Sequence, residues 1–282
     1  MRPRTQNPKG YFENNDIVKI NDGLLKEFGY RWDDIFPLPA NWQQKSSLLK
    51  EWQPKMRALL RNLFHNSEQV AIKDPRMCRL YPIWKETAEG LGIPTACILT
   101  VRNPFEVAQS LQRRDGFSEQ KSLLMWMAYT LEAEFHSKKD KRVFTSFDEL
   151  IEDPESQVER LRNILEVEFP VSFEAAKQQV TDFLDAGLKH HSTHITHTCW
   201  VPDNMVQDLF DQLNNIIDSG HHTDQALAAV DRIRAEFNRV CDFYYHPDII
   251  ERSRVSLIMG VSEHSRTWKA YRGLKSILRS IM

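Results

Sequence analysis

The residues best suited to chemistry lie in the run Ile98-Leu99-Thr100-Val101-Arg102-Asn103-Pro104-Phe105-Glu106-Val107-Ala108-Gln109-Ser110-Leu111. An apolar stretch ends at Arg102. Asn103 suits the N-cap of a helix and Pro104 its first turn. Arg102 is therefore expected at the carboxyl end of a strand, the edge at which open α/β sheets bind ligands. Ser110 follows nearly two helical turns on. A guanidinium is a forked, permanent cation and a hydroxyl is a donor, so together they can hold one phosphate. The same residues also suit a capped helix with a surface arginine.

Two further groups carry charge, one of them at a predicted strand end. Val70-Ala71-Ile72 is short and apolar, and Lys73-Asp74-Pro75-Arg76 follows it as a polar turn. Asp74 and Arg76 also fit a local turn pair. Upstream, Asn7-Pro8-Lys9-Gly10-Tyr11-Phe12-Glu13-Asn14 carries Glu13, a carboxylate that suits a cap for the following helix. A fourth cluster, His190-His191-Ser192-Thr193-His194-Ile195-Thr196-His197-Thr198-Cys199, holds good zinc ligands, but its spacing matches no standard zinc module and no metal is expected.

The elements that would position these groups follow from apolar periodicity. Helices are expected over Asp16–Phe28, Ser46–Phe64 (with Pro54 as a kink or break), Leu80–Leu91, Pro104–Arg113, Glu119–Phe135, Pro154–Leu165, Val206–Ile217 and Thr223–Tyr244. Strands are expected at Val70-Ala71-Ile72, Thr95–Val101 and Arg142–Phe147. The continuous apolar character of the first two suits a parallel sheet covered on both faces. Strand and helix alternate, which predicts an α/β fold with right-handed crossovers. The basic amphipathic tail Ser265–Met282 reads as a surface helix, packed on the domain or resting on anionic partners.

Composition narrows the class. The chain has 282 residues, 41% hydrophobic and 27% charged, with a formal net charge of −2. That is ordinary globular composition, and the charge gives no support to a nucleic-acid-coating role. The four cysteines are widely spaced and form no CxxC pair, so reduced thiols are expected. No apolar run approaches a membrane span and the N-terminus lacks a signal-peptide core, so a cytoplasmic location is expected.

On these motifs the chain resembles the bacterial branch of the sulfotransferase superfamily. Members place Arg and, after seven residues, Ser at the site for a nucleotide 3′-phosphate; Arg102 and Ser110 have that spacing. Val143 to Pro154 looks like the next strand and its acidic turn, with Phe147 where members often carry a tyrosine near the adenine. The aromatic face is kept, so stacking is retained and a phenol hydrogen bond is not. Bacterial members show a K-D-P-R turn. The resemblance implies that Lys73 steadies the bridging oxygen as sulfonate leaves and that Arg76 binds acceptor or sulfonate oxygens. It also implies Glu13 as the general base, with Asp74 second.

The resemblance spans about Asn7 to about Leu165 and contains no G-x-x-R-S-G-T-S-like phosphosulfate loop. It therefore implies an N-terminally truncated member. The implied fold is a P-loop-like three-layer sandwich with a mostly parallel central sheet, its first strand missing. Residues 1–170 would form the core and residues 171–282 a helical extension packed on it. The implied reaction transfers sulfonate from 3′-phosphoadenosine 5′-phosphosulfate to a hydroxyl acceptor, with carbohydrate suggested by the bacterial members. The alternative is an inactive scaffold or nucleotide-binding partner of a polysaccharide-modifying system. A P-loop kinase would require GxxxxGK[ST], which the sequence lacks.

Overall fold

The computed structural model describes residues 12–38, 42, 46–184, 203–219 and 224–244. The expected histidine cluster and basic tail lie outside them. In chain order the elements are α1 (Asn15–Glu27), α2 (Ser46–Leu63), α3 (Met77–Glu89), β1 (Cys97–Val101), α4 (Pro104–Asp115), α5 (Glu119–Ser137), β2 (Arg142–Ser146), α6 (Phe147–Glu152), α7 (Pro154–Leu165), α8 (Phe173–Phe183), α9 (Asp203–Asp218) and α10 (Asp224–Tyr244). The chain divides into two compact units after Arg234. Among the described residues no helix is long and apolar enough to cross a membrane.

The architecture is mostly helical around a small parallel sheet. β1 and β2 pair in parallel from Cys97 opposite Arg142 to Val101 opposite Ser146. The connection between them is the α4–α5 pair, as a parallel crossover requires. α5 and α9 pack on the sheet, and α7 packs on β2. β2 is buried through Thr145. Its first residue is locked from beneath: Arg142 donates to the Glu134 carbonyl at 2.6 Å and to the Glu134 carboxylate at 3.1 Å, both groups being buried.

Three strand expectations are corrected. Val70-Ala71-Ile72 forms no strand and is only partly buried. A strand exists through its neighbour's hydrogen bonds, and no described strand lies beside these residues. β1 is not covered on both faces either. Its exposure alternates, with Ile98 50% exposed and Val101 buried, so one of its faces is left open. The Phe147 end of the third expected strand turns instead into α6, where Ser146 caps the amides of Asp148 and Glu149. Pro54 does not split α2, which runs through it.

The main apolar core joins α1, α2 and α3 through Ile17, Leu24, Leu25, Met56, Leu80 and Ile83. Gly23 permits the close approach of α1 and α2. A Cβ there would lie 2.0 Å from the Trp52 ring. A buried ion pair ties this core to α5. Arg79 is fully buried; its Nε lies 2.9 Å from a Glu132 carboxylate oxygen, an ionic contact not aligned as a hydrogen bond. Its guanidinium also donates to the Asp34 carbonyl at 2.8 Å and sits 4.6 Å over the Tyr129 ring. Glu132 in turn accepts from the Leu38 amide at 3.2 Å. Burial pushes the Glu132 carboxyl up, against the pull of Arg79.

His136, in the last turn of α5, gives the fold an acid sensitivity. Burial, then the nearby charge of Arg234, pushes its imidazole down to about 4. Between pH about 6.5 and about 4 the unfolded chain binds a proton that the folded chain refuses, so stability falls as pH drops through that window. With allowance for partial exposure the loss is about 2 kcal/mol. Urea unfolding at pH 7 and pH 4.5 should show a smaller drop for His136→Gln than for the native chain; equal drops would refute the assignment.

Candidate functional site

The start of α4 folds as the local sequence dictates. Asn103 Oδ1 accepts from the Phe105 amide at 2.9 Å and the Glu106 amide at 3.4 Å, with Pro104 at the first helical position. β1 therefore ends one residue before Arg102, at its carboxyl end. Because Val101 pairs with Ser146, Arg102 and Phe147 leave the sheet side by side. The guanidinium lies 4.2 Å from the Phe147 ring centroid, and its Nε and one terminal nitrogen each reach a Glu106 carboxylate oxygen at 3.2 Å. One face of the ring expected to meet adenine thus carries Arg102. Ser110 is exposed on α4.

The Lys73–Arg76 turn is held by α1. Asn14, not Glu13, caps that helix by accepting from the Asp16 and Ile17 amides. Glu13 is left to pair with Lys73 at 2.7 Å. Asp74 is buried and uses both oxygens. One accepts from the Arg76 amide at 2.9 Å and the Arg76 guanidinium at 3.0 Å. The other accepts from the Asn21 amide group at 3.2 Å, and Trp84 donates to Asn21 at 2.7 Å. Asp22 completes the set, accepting from Arg76 Nε at 2.6 Å. Burial alone would lower the Arg76 guanidinium, but Asp74 and then Asp22 hold it above its ordinary value.

These groups face a cleft of about 1120 Å³ between the Val70–Cys78 segment and β1. Glu13, Lys73, Asp74, Arg76 and Arg102 all line it. Ser110 and Phe147 do not. From α4 the lining is instead Val107, Leu111, Arg114 and Asp115, the face three and four residues apart, which Ser110 does not share. Trp32 and Arg114 line it as well, a pair that the sequence motifs did not single out. Arg114 pairs with Asp115 at 2.7 Å. The cleft exceeds the roughly 300–1,000 Å³ of ordinary small-molecule pockets.

The cleft thiols are poor nucleophiles. Burial, reinforced by Glu132, pushes the Cys78 thiol up to about 12, and burial raises Cys97. The Tyr81 phenol, 3.2 Å from the Thr95 hydroxyl, is also raised by burial. Acid–base or nucleophilic chemistry here falls to the carboxylates and Lys73. Among the described residues no group of three or more metal-ligating side chains occurs. Cys78, Cys97 and Cys241 are free thiols. No protein-family model, curated protein or solved structure matches this chain.

Proposed function

We propose that the cleft binds 3′-phosphoadenosine 5′-phosphosulfate, with Arg102 on the 3′-phosphate, and transfers its sulfonate to a hydroxyl acceptor, carbohydrate being the class suggested by the sequence resemblance. The observation that carries this reading is the joint placement of a strand-end arginine and a Lys–Asp–Pro–Arg turn on one cleft. The β1–α4 junction supports it, since the carboxyl end of a parallel strand and a helix start both favour a phosphate. On the same reading the sheet is part of a P-loop-like three-layer sandwich.

In the proposed reaction the acceptor oxygen attacks sulfur and the bond from sulfur to the bridging phosphate oxygen breaks. The nucleotide leaves as the 3′,5′-bisphosphate, with Lys73 stabilising the charge on its departing oxygen. The acceptor proton passes to a carboxylate. Glu13 is the better placed for this, since both Asp74 oxygens already hold the turn.

Calorimetry with 3′-phosphoadenosine 5′-phosphate tests the reading. Arg102→Ala should weaken binding by about 10- to 100-fold, the worth of charge-assisted hydrogen bonds of about 1.5–3 kcal/mol. Arg102→Lys should recover part of it, because a point charge replaces a fork. Ser110→Ala should cost only a few-fold. Native-like affinity in Arg102→Ala would defeat the proposal.

A further inference from the structure

The cations of the Lys73–Arg76 turn carry counter-ions drawn from one element. Glu13 immediately precedes the cap of α1 and pairs with Lys73 at 2.7 Å. Asp22, two turns into α1, pairs with Arg76 Nε at 2.6 Å. Between them Asn21 holds Asp74. With Asp74 included, three carboxylates surround two cations among the described residues. Among the described residues Arg76 therefore meets two carboxylates and has no excess charge to offer an incoming anion, although its sequence reads as basic.

Arg76 shows the consequence most directly. Its Nε is taken by Asp22 and one terminal nitrogen by Asp74, so the side-on fork through Nε cannot grip a tetrahedral anion without displacing Asp22. Asp74 is buried and tied to Asn21, so the displaceable partner is Asp22, whose side chain is 49% exposed. At the other end of the cleft, Arg102 meets one carboxylate, Glu106, and an aromatic face.

We infer that Asp22 is a specificity-determining residue that closes the Arg76 fork to free anions, leaving that part of the cleft to an uncharged hydroxyl compound. This deepens the proposed function and rests on it for the identity of the acceptor. Under the inference an acceptor that carries its own carboxylate or phosphate is rejected by the Asp22 carboxylate, whereas a neutral polyol is not. Removing the Asp22 charge should convert the Arg76 fork into an anion site.

The test is an NMR titration of the full chain with inorganic sulfate at constant ionic strength, reading the Nε–H signal of Arg76. The signal is assigned by its loss in Arg76→Lys. Asp22→Asn should raise sulfate affinity at that signal by about five-fold, the effect of deleting one partly exposed charge a few ångströms away. Adding Arg76→Lys to Asp22→Asn should abolish the gain, whereas adding Arg102→Ala should not. Unchanged or weaker sulfate binding in Asp22→Asn overturns the inference, and so does a gain that survives Arg76→Lys. Thermal unfolding of each variant shows that the fold is intact. The nucleotide titration is separate: bisphosphate binding lost in Arg102→Ala with no sulfate gain in Asp22→Asn sinks this inference alone. An Arg76-dependent sulfate gain with no bisphosphate binding sinks the proposed function alone.

Discussion

Arg79→Ala is expected to destabilise the protein by about 3–5 kcal/mol, the usual cost of leaving one member of a buried ion pair without the other. Arg79 is fully buried and Glu132 nearly so. The alanine variant strands the Glu132 carboxylate in the interior beside the Leu38 amide. It also frees the Asp34 carbonyl and uncovers the Tyr129 ring. Equilibrium urea unfolding checks the magnitude. A double replacement, Arg79→Met with Glu132→Leu, should recover most of the loss, because paired removal of the charges leaves neither desolvated alone. A single variant within about 1 kcal/mol of native would mean that the pair is not buried as described. Segment 31–38 should loosen in the single variant. Trp32 sits there, and so does Asp33; burial alone would raise Asp33, but its bond to Lys121, with help from Arg31, holds the carboxyl below its ordinary value.

Asp74→Ala is expected to cost about 3 kcal/mol, because it leaves the Asn21 side-chain amide unpaired in a buried site and removes the inner counter-ion of Arg76. Asp74→Asn should cost roughly half as much, since it keeps the shape and part of the hydrogen bonding. The comparison separates the charge from the shape, and unfolding midpoints measure it. The alanine variant should also degrade the cleft, because the Lys73–Arg76 turn is anchored to α1 chiefly through Asp74 and Asn21. A loss below about 0.5 kcal/mol in Asp74→Ala would show that the turn holds itself.

Much of the local structure was legible in the residues. The Asn103–Pro104 cap, the strand before it and the helix after it follow from backbone chemistry that acts over a few positions. Pro154–Leu165 was predictable to the residue, since Asp153 caps it and Pro154 suits its first turn. The apolar runs Thr95–Val101 and Arg142–Phe147 named the two strands that pair. A run of three apolar residues at Val70 was not enough, because a strand needs a neighbour and periodicity says nothing of neighbours.

The site shows the same division. Arg102, Lys73 and Arg76 stood out as charges at predicted strand ends, and the fold puts all three on one cleft. Ser110 had the right spacing from Arg102 but lies off the face that α4 turns to the cleft. Trp32 and Arg114 carried no signal, because loop aromatics and helix arginines are common. The pairing of Glu13 and Asp22 with the Lys73–Arg76 turn spans 60 and 54 residues of chain. With 37 lysines and arginines and 39 acids in the chain, no spacing rule selects those partners.

The sequence by itself determined where helices begin, which strand precedes the arginine and which residue types could meet an anion, because caps, propensities and periodicity act locally along the chain. Only the tertiary structure decided which cations are already neutralised and which remain open to a ligand, because ion pairing depends on distance in space, and the packing of α1 against the turn sets that distance.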